Sequence, residues 1–126
     1  MLIALLTLWL MGGDASTFVQ HIASYQARTA EVVADAARAE RADAIFEAMV
    51  ALTEARDEKA VEGIAQLSAN VAALAENSQA IVQSQLEINA AQSQYLREFV
   101  GLRFALKAEL TRDEWNALFP TSATDL

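Results

Sequence analysis

The scarcity of helix-breaking residues constrains this chain more than any other feature. Between Asp14 and Phe119 it contains no proline and only two glycines, Gly63 and Gly101. Proline removes a backbone hydrogen bond and glycine costs conformational entropy, so long helices avoid both residues. Alanine, leucine, glutamate, glutamine and arginine are frequent in the same stretch, and all five have high helix propensity. The sequence therefore predicts an all-α protein built from long helices.

Apolar residues recur along this stretch at spacings built from three and four residues. The repeat consists of Phe18, Ile22, Tyr25, Val32, Ala36, Ala39, Phe46 and Val50 in the first half, and of Ile64, Leu67, Val71, Leu74, Ile81, Ile88, Tyr95, Phe99, Leu102 and Leu106 in the second. Such spacing places apolar side chains at the a and d positions of heptads, which favours a coiled-coil-like seam. One face of an ordinary bundle helix has nearly the same pattern, so both interpretations stay open.

The charged segment from Thr53 to Gly63 interrupts this repeat and marks the expected turn. A single helix of about ninety residues would be roughly 135 Å long and would leave its own seam in water. Folding at this segment buries the seam between two arms of similar length. We therefore predict a long antiparallel helical hairpin, coiled-coil-like, that spans residues 14–119 together with a short C-terminal helix. Oligomeric rods are the second choice.

An uncharged apolar segment, MLIALLTLWLM, opens the sequence before Gly12 and Gly13. A helix of that length extends only about 16 Å, whereas the hydrocarbon core of a bilayer is roughly 30 Å thick. A secretory signal, part of a membrane anchor, and an apolar helix packed on this protein or on a second copy are the competing interpretations. We expect residues 1–13 to be an anchor or signal-like segment, and the protein to be membrane-associated and extracytoplasmic, that is periplasmic. The expected anchoring residues are Leu2, Ile3, Leu5, Leu6, Leu8, Trp9 and Leu10.

The sequence Thr111-Arg112-Asp113-Glu114 has the form of a capping box, with a hydroxyl at the N-cap and a carboxylate three residues later. It predicts a short helix from Trp115 to Phe119, ended by Pro120, and a frayed tail over residues 120–126. Folded back on the hairpin, this helix would form a lid. The residues expected to pack in the lid are Thr111, Glu114, Trp115, Leu118 and Phe119.

Aromatic residues crowd the C-terminal third of the chain, at Tyr95, Phe99, Phe104, Trp115 and Phe119. Aromatic clusters are usually core, which favours a hydrophobic lock where the short helix meets the hairpin near Phe18, Ile22 and Tyr25. The alternative is a groove that accepts an apolar segment of a partner. A lid that moves would permit both.

Charges nearly vanish between Ala75 and Leu96, where Glu76 and Glu87 are the only charged residues. The other polar positions are asparagine, serine and glutamine, which can hydrogen-bond between helices without the cost of burying a charge. We expect a contact surface here, either for the other arm and the lid or for a partner helix; a solvated helix is the alternative. The predicted partner-contact residues are Ile81, Val82, Gln85, Leu86, Ile88, Gln92, Tyr95, Leu96 and Phe99.

Composition argues against several classes of function. The net charge is −8, and the nine basic residues are scattered among seventeen acidic ones, so the sequence has no basic patch for nucleic acid. Cysteine is absent, and the single histidine, His21, has no carboxylate within one helical turn. The pairs Glu31/Asp35 and Asp43/Glu47 are more typical of a solvated face than of a metal site. We expect no enzyme activity, no cofactor, no metal and no small-molecule substrate.

The segment LKAELTRDEWNAL, residues 106–118, resembles the Leu-Thr-x-x-Gln element of small periplasmic helical proteins of the Spy/CpxP type and their heavy-metal-sensor relatives. Leu110 and Thr111 match this element, whereas Glu114 stands where the family has glutamine. The resemblance implies an exported helical hairpin that senses envelope conditions or shields unfolded apolar segments. The metal-sensing branch uses several histidines, and this chain has one.

An apolar leader, an acidic helical body and the lack of catalytic residues together favour an interaction protein. The first hypothesis is a membrane-associated, extracytoplasmic scaffold subunit of a larger complex, with other protein helices as partners. A periplasmic chaperone or envelope-stress sensor is the second, and a self-assembling structural subunit the third. An anchored, coiled phage protein of the i-spanin kind has the same features.

Overall fold

The computed structural model describes residues 15–73 and 78–120. These residues form four helices: α1 is Ala15–Val32, α2 is Ala36–Ala72, α3 is Ser78–Glu109 and α4 is Arg112–Leu118. The prediction of an all-α protein is confirmed. Residues 1–13, predicted as an anchor, and residues 121–126 of the predicted tail lie outside the described residues, and so does the seam residue Leu74.

The predicted turn between Thr53 and Gly63 is wrong, because α2 continues through this whole segment. The charged side chains of Asp57, Glu58 and Lys59 are exposed, so they form a solvated face of the helix rather than a break in it. Clustered charges of both signs are compatible with a helix, since ion pairs three or four residues apart stabilise it slightly. A lapse in apolar periodicity is therefore a weaker turn signal than a residue that stops the helix.

The break that the sequence pattern missed lies at Val33-Ala34-Asp35, between α1 and α2. A carboxylate oxygen of Asp35 accepts hydrogen bonds from the backbone nitrogens of Ala37 at 2.8 Å and Arg38 at 3.1 Å. Asp35 is thus the N-cap of α2, and it satisfies amide groups that have no partner inside the helix. The expected single first arm is in fact two helices.

The hydrophobic core occupies one half of the molecule. We call residues 15–53 and 95–120 the proximal half, which includes α1 and α4, and we call residues 54–73 and 78–94 the distal half. Every buried apolar side chain among the described residues lies in the proximal half: Phe18, Ile22, Tyr25, Val33, Ala42, Phe46, Met49, Tyr95, Phe99, Leu106, Leu110, Leu118 and Phe119.

Helix length explains why the core is confined in this way. The 18 residues of α1 reach about 27 Å, whereas the 37 residues of α2 reach about 55 Å. Phe18, in the first turn of α1, packs its ring 5.7 Å from that of Phe99 on α3. In the proximal half, α1 and α4 therefore enclose side chains together with α2 and α3, while α2 and α3 alone make up the described part of the distal half.

Residues later in α2 contact residues earlier in α3. Arg41 forms a 2.8 Å ion pair with Glu109, and the hydroxyls of Thr53 and Tyr95 lie 3.1 Å apart. Further along α2, the Asn70 amide nitrogen donates to the Ser84 hydroxyl at 2.7 Å. These polar contacts recur along the whole shared length of α2 and α3, so they fix the register of one helix against the other.

The predicted seam is only partly buried. Tyr95, Phe99 and Leu106 are buried, but Ile64 and Val71 are exposed, so their assignment to a covered seam is wrong. Two helices bury only the side chains along their line of contact, and a third helix is needed to cover the adjoining positions. The half-buried members of the second-half repeat are Leu67, Ile81, Ile88 and Leu102.

The two helical glycines differ in the space around them, which gives a stability prediction. A Cβ at Gly101 would have no neighbour within 4 Å, whereas one at Gly63 would lie 3.1 Å from Ile88 Cγ1. Gly101→Ala is expected to raise the free energy of unfolding by about 0.5–1 kcal/mol, because alanine has the higher helix propensity. Gly63→Ala should gain less, since Ile88 must shift. Urea unfolding of both variants measures this; an equal gain would contradict it.

Candidate functional site

The distal half exposes large apolar side chains on both of its helices. They are Val61 (64% exposed), Ile64 and Val71 on α2, and Val82 (57%) and Leu86 (56%) on α3. A single exposed apolar residue is ordinary, whereas several on one half of a molecule make that half a candidate interaction surface. We call these five residues the distal apolar set.

The predicted partner-contact residues fall into three groups. Tyr95 and Phe99 belong to the protein's own core. The half-buried residues are Ile81, Ile88, Gln92 and Leu96, and the exposed ones are Val82, Gln85 and Leu86. This nearly uncharged part of α3 therefore buries some of its side chains partly or fully and leaves others exposed.

A cleft of about 250 Å³ lies between α2 and α3 where the two halves meet. Its apolar lining comes from Leu52, Ala55 and Ala60 of α2 and from Ile88 and Ala91 of α3. Alanine side chains are short, so a bound segment can approach the helix backbones closely. The cleft includes Ile88, Gln92 and Tyr95, three of the predicted partner-contact residues.

Polar side chains line the same cleft, and the basic ones come from a different helix than the neutral and acidic ones. Arg56 and Lys59 come from α2, whereas Gln92, Gln94 and Glu98 come from α3. The guanidinium carbon of Arg56 lies 5.9 Å from the centre of the Tyr95 ring, within range of a cation–π contact. Burial raises the pKa of Tyr95 to about 12, so its hydroxyl stays protonated and shares a hydrogen bond with Thr53.

A buried polar contact lies further into the distal half. Ser84 is buried, and its hydroxyl accepts a 2.7 Å hydrogen bond from Asn70. Because an unpaired buried hydroxyl costs free energy, this pair disfavours any slip of α3 along α2. Sequence reasoning did not single out Asn70, since nothing local in the sequence pairs it with Ser84.

The lid helix α4 is held at the opposite end of the molecule. It begins at Arg112, three residues earlier than predicted, because Thr111 is its N-cap and accepts a 3.2 Å hydrogen bond from the Glu114 nitrogen. Its buried residue Leu118 and its C-cap Phe119 both belong to the hydrophobic core, and the Phe119 ring centre lies 4.7 Å from that of Tyr25 on α1. Trp115 is half-buried and packs its ring 4.7 Å from that of Phe119.

Arg38 is the polar residue that joins α4 to α2, and no sequence signal marked it. Its guanidinium donates to both carboxylate oxygens of Glu114 at 2.9 Å, and also to the Glu109 carbonyl at 3.0 Å. Arg28 adds a 3.0 Å hydrogen bond to the carbonyl of Ala117. Pairs 76 residues apart have no local periodicity to reveal them.

Two remaining sequence candidates have surface positions. Phe104, which was expected in the aromatic cluster, is 59% exposed, so that assignment is wrong.

Among the described residues no group of three histidine, cysteine, aspartate or glutamate side chains is placed to hold a metal ion. Asp43 and Glu47 both accept hydrogen bonds from the Gln26 amide, at 2.9 and 2.8 Å, and His21 is exposed.

Acidification is expected to weaken the attachment of α4. Hydrogen bonds from Arg38 hold the pKa of Glu114 below its ordinary value. A carboxyl with a lowered pKa in the folded state stabilises that state above its unfolded pKa of about 4.3, and this stabilisation is lost as the pH falls through the folded pKa. Glu114→Gln should therefore lower Tm at pH 7 and much less at pH 3.

Thermal unfolding of the natural protein and of Glu114→Gln at both pH values measures this difference. Asp35 also has a lowered pKa, caused by its hydrogen bonds from the backbone of Arg38 and Ala37. Both proteins retain Asp35, so its titration cancels in the comparison. A Tm difference that stays the same at pH 7 and pH 3 would contradict the expected role of the Glu114 charge.

The comparisons with known proteins add no relative from which a function could be transferred. No family model matches the sequence, and no curated protein or solved structure is significantly similar to it. The resemblance to proteins of the Spy/CpxP type stays a prediction. Functional inference therefore rests on the exposed surface, the cleft and the sequence.

Proposed function

We propose that the protein is a membrane-associated, extracytoplasmic helical interaction subunit that acts as a scaffold in a larger complex. One observation carries the interaction part of this proposal: the distal apolar set is exposed on both long helices, whereas the buried apolar side chains of the described residues all lie in the proximal half. Leaving such side chains in water is unfavourable, by roughly 25 cal/mol for each Å² of apolar surface. A partner that covers them recovers this free energy.

The proposed scaffold is a long antiparallel helical hairpin, coiled-coil-like, whose arms are α2 and α3. The opposite order of their contacts, from Arg41–Glu109 to Asn70–Ser84, supports this arrangement. A hairpin carries its far end away from α1 and α4, so the distal half can meet a partner while the proximal half keeps the fold stable.

The proposed membrane attachment rests on the sequence of residues 1–13, which is apolar and uncharged. In residues 15–73 and 78–120 no helix combines the length and apolarity needed to cross a bilayer. Fractionation of full-length protein without detergent tests the attachment. Recovery in the membrane pellet is the expected result, and recovery as a soluble monomer would contradict it.

Site-specific photo-crosslinking in cells tests the interaction surface. A photoreactive amino acid is placed at Leu86 in the distal half or, as the matched control, at Phe104 in the proximal half of the same helix. Both positions are exposed, at 56% and 59%. We expect a discrete protein adduct from Leu86 and a much weaker one from Phe104. Equal labelling, or none at either position, would contradict a distal interaction surface.

Self-assembly is a second candidate function, because every copy of the chain carries the same exposed apolar set. Light scattering of the purified full-length protein distinguishes it from a scaffold that binds other chains: a concentration-dependent rise in mass favours self-assembly.

The chaperone alternative would use the same surface on an unfolded client. It is contradicted if excess protein leaves the aggregation rate of a denatured client unchanged.

A further inference from the structure

The side of α2 that α1 covers in the proximal half continues into the distal half, where none of the described helices covers it. Asp43 accepts a 2.9 Å hydrogen bond from Gln26 of α1, and Val50, seven residues later, packs against the core. Residues seven apart lie on the same side of a helix, so Ile64 and Val71 continue this row. Their exposed fractions are 59% and 52%.

A second row on α3 lies across from the first. Arg103 lies 5.4 Å from the centre of the Trp115 ring on α4, and Leu96, seven residues earlier, packs against the core. The same spacing leads to Asn89 and then to Val82, which is 57% exposed. The two rows flank a groove that fits a third helix; α1 and α4 occupy its proximal part.

The N-terminus of α1 points along the open part of this groove. Only three residues join α1 to α2, and Gln26 meets both Asp43 and Glu47, so the two helices run antiparallel. Twenty residues before Gln26 is Leu6, and twenty residues after Asp43 and Glu47 are positions 63 and 67. A helix that continues the direction of α1 would therefore bring Leu6 to the level of Ile64. Thirteen helical residues reach about 20 Å, which is most of the length of the distal half.

We propose that residues 1–13 fold onto this groove when the protein is away from the membrane, and that insertion of the same segment into a bilayer uncovers Ile64, Val71 and Val82. This inference rests on the proposed function, because the groove belongs to the proposed interaction surface and the segment is the proposed anchor. One segment cannot be buried in both places. Attachment to the membrane therefore makes the distal surface available to its partner.

Charge and connection favour this segment as the occupant. Residues 63–73 and 78–86 include no charged side chain, and residues 1–13 have none either, so docking removes no charge from water. Asp57, the charged member of the α2 row in the distal half, lies at the level of Gly12, which has no side chain to oppose it. A segment joined directly to α1 also has an effective concentration on the order of mM, which a separate chain in solution does not reach.

Crosslinking within the full-length protein tests the docking. The chain has no cysteine, so Leu6→Cys/Ile64→Cys introduces the only two thiols. Leu6→Cys/Gln66→Cys is the matched control, because Gln66 is exposed and lies about 200° around α2 from Ile64. Each protein is extracted with detergent, transferred to detergent-free buffer and treated with a short bismaleimide. We expect at least about fivefold more intramolecular crosslink from the Ile64 pair than from the Gln66 pair.

Phosphatidylcholine vesicles added before the reagent test the release. They should lower the yield of the Ile64 crosslink by about fivefold or more, because the segment then lies in the bilayer. Equal yields from the two pairs, a crosslink that joins two chains, or a yield that vesicles leave unchanged overturns the inference. So does precipitation of the natural protein when detergent is removed, since a covered segment and groove should stay soluble.

Failure of this inference is distinguishable from failure of the proposed function. If the Ile64 crosslink does not form but the Leu86 adduct is found in cells, the scaffold function stands and only the docking of residues 1–13 is overturned. If the crosslink forms and vesicles release it, but the Leu86 adduct is absent, the cover exists without a partner to replace it. The scaffold function then fails and the inference stands.

Discussion

Phe99→Ala is expected to lower the free energy of unfolding by about 3–5 kcal/mol. Phe99 is fully buried, and its ring packs 5.7 Å from that of Phe18 and 5.8 Å from that of Tyr95. It therefore joins α3 to the first turn of α1, which is the point where α1 starts to cover the other two long helices. Truncation removes this contact and leaves a cavity that rigid helices cannot fill.

Urea unfolding followed by circular dichroism measures the loss. Phe104→Ala is the matched control, because it removes the same ring from an exposed position on the same helix, and it should change the free energy of unfolding by less than about 0.5 kcal/mol. If the two variants lose equal stability, the division into a buried proximal half and an open distal half is wrong.

This division separates the buried residues that stabilise the fold from the exposed residues of the proposed interaction surface. Val82 and Leu86 are exposed on α3, so their replacement by polar residues should weaken partner binding with little effect on folding. Phe99 and Tyr95 were predicted as partner contacts in the same segment, but their side chains lie in the core. Changes at these two positions would weaken binding indirectly, through loss of the fold.

The sequence predicted the helical class correctly because the signals for it are local. Helix propensity and the lack of glycine and proline act within a few residues, and they predict helix along most of the chain. The capping sequence at Thr111 likewise marks the start of α4. Its signal is local, because the Thr111 hydroxyl accepts a hydrogen bond from the backbone nitrogen of Glu114, only three residues later. The start of α4 was placed three residues late because the helix begins directly after its cap.

The division of the first part of the chain into two helices could not be predicted by periodicity alone. Apolar spacing continues across Val33 to Asp35, although Asp35 caps the start of a new helix there. The charged segment after Thr53 appeared to be a break because its apolar repeat lapses. A solvated face produces the same lapse, and α2 passes through it intact.

The candidate site depends on relations that sequence spacing does not contain. The cleft brings Lys59 near Gln94 and Glu98 because α2 and α3 run side by side in one particular register. That register is fixed by pairs such as Thr53–Tyr95 and Asn70–Ser84, which are 42 and 14 residues apart. The uncharged stretch on α3 indicated a contact surface, but it could not say which side chains α2 would cover.

The attachment of α4 provides the second large effect, expected for Leu118→Ala. Leu118 is fully buried in the core and is the one buried residue of the seven-residue helix α4, so the attachment of α4 depends strongly on this side chain. Truncation should lower the free energy of unfolding by about 2–5 kcal/mol if α4 unfolds together with the core. If α4 detaches first, its loss should precede the main transition.

Tryptophan fluorescence distinguishes these two courses in a Trp9→Phe background, where Trp115 is the only tryptophan. In Leu118→Ala we expect the Trp115 emission to shift to the red at urea concentrations where circular dichroism still reports full helix. Asn116→Ala is the control, since Asn116 is exposed on the same helix. The Arg38–Glu114 pair is partly buried, but loss of the apolar contact would expose it to water, where ion pairs contribute little, so we do not expect it to hold α4 alone. Coincident fluorescence and dichroism transitions in Leu118→Ala, at an unchanged midpoint, would show that α4 depends on these polar contacts instead.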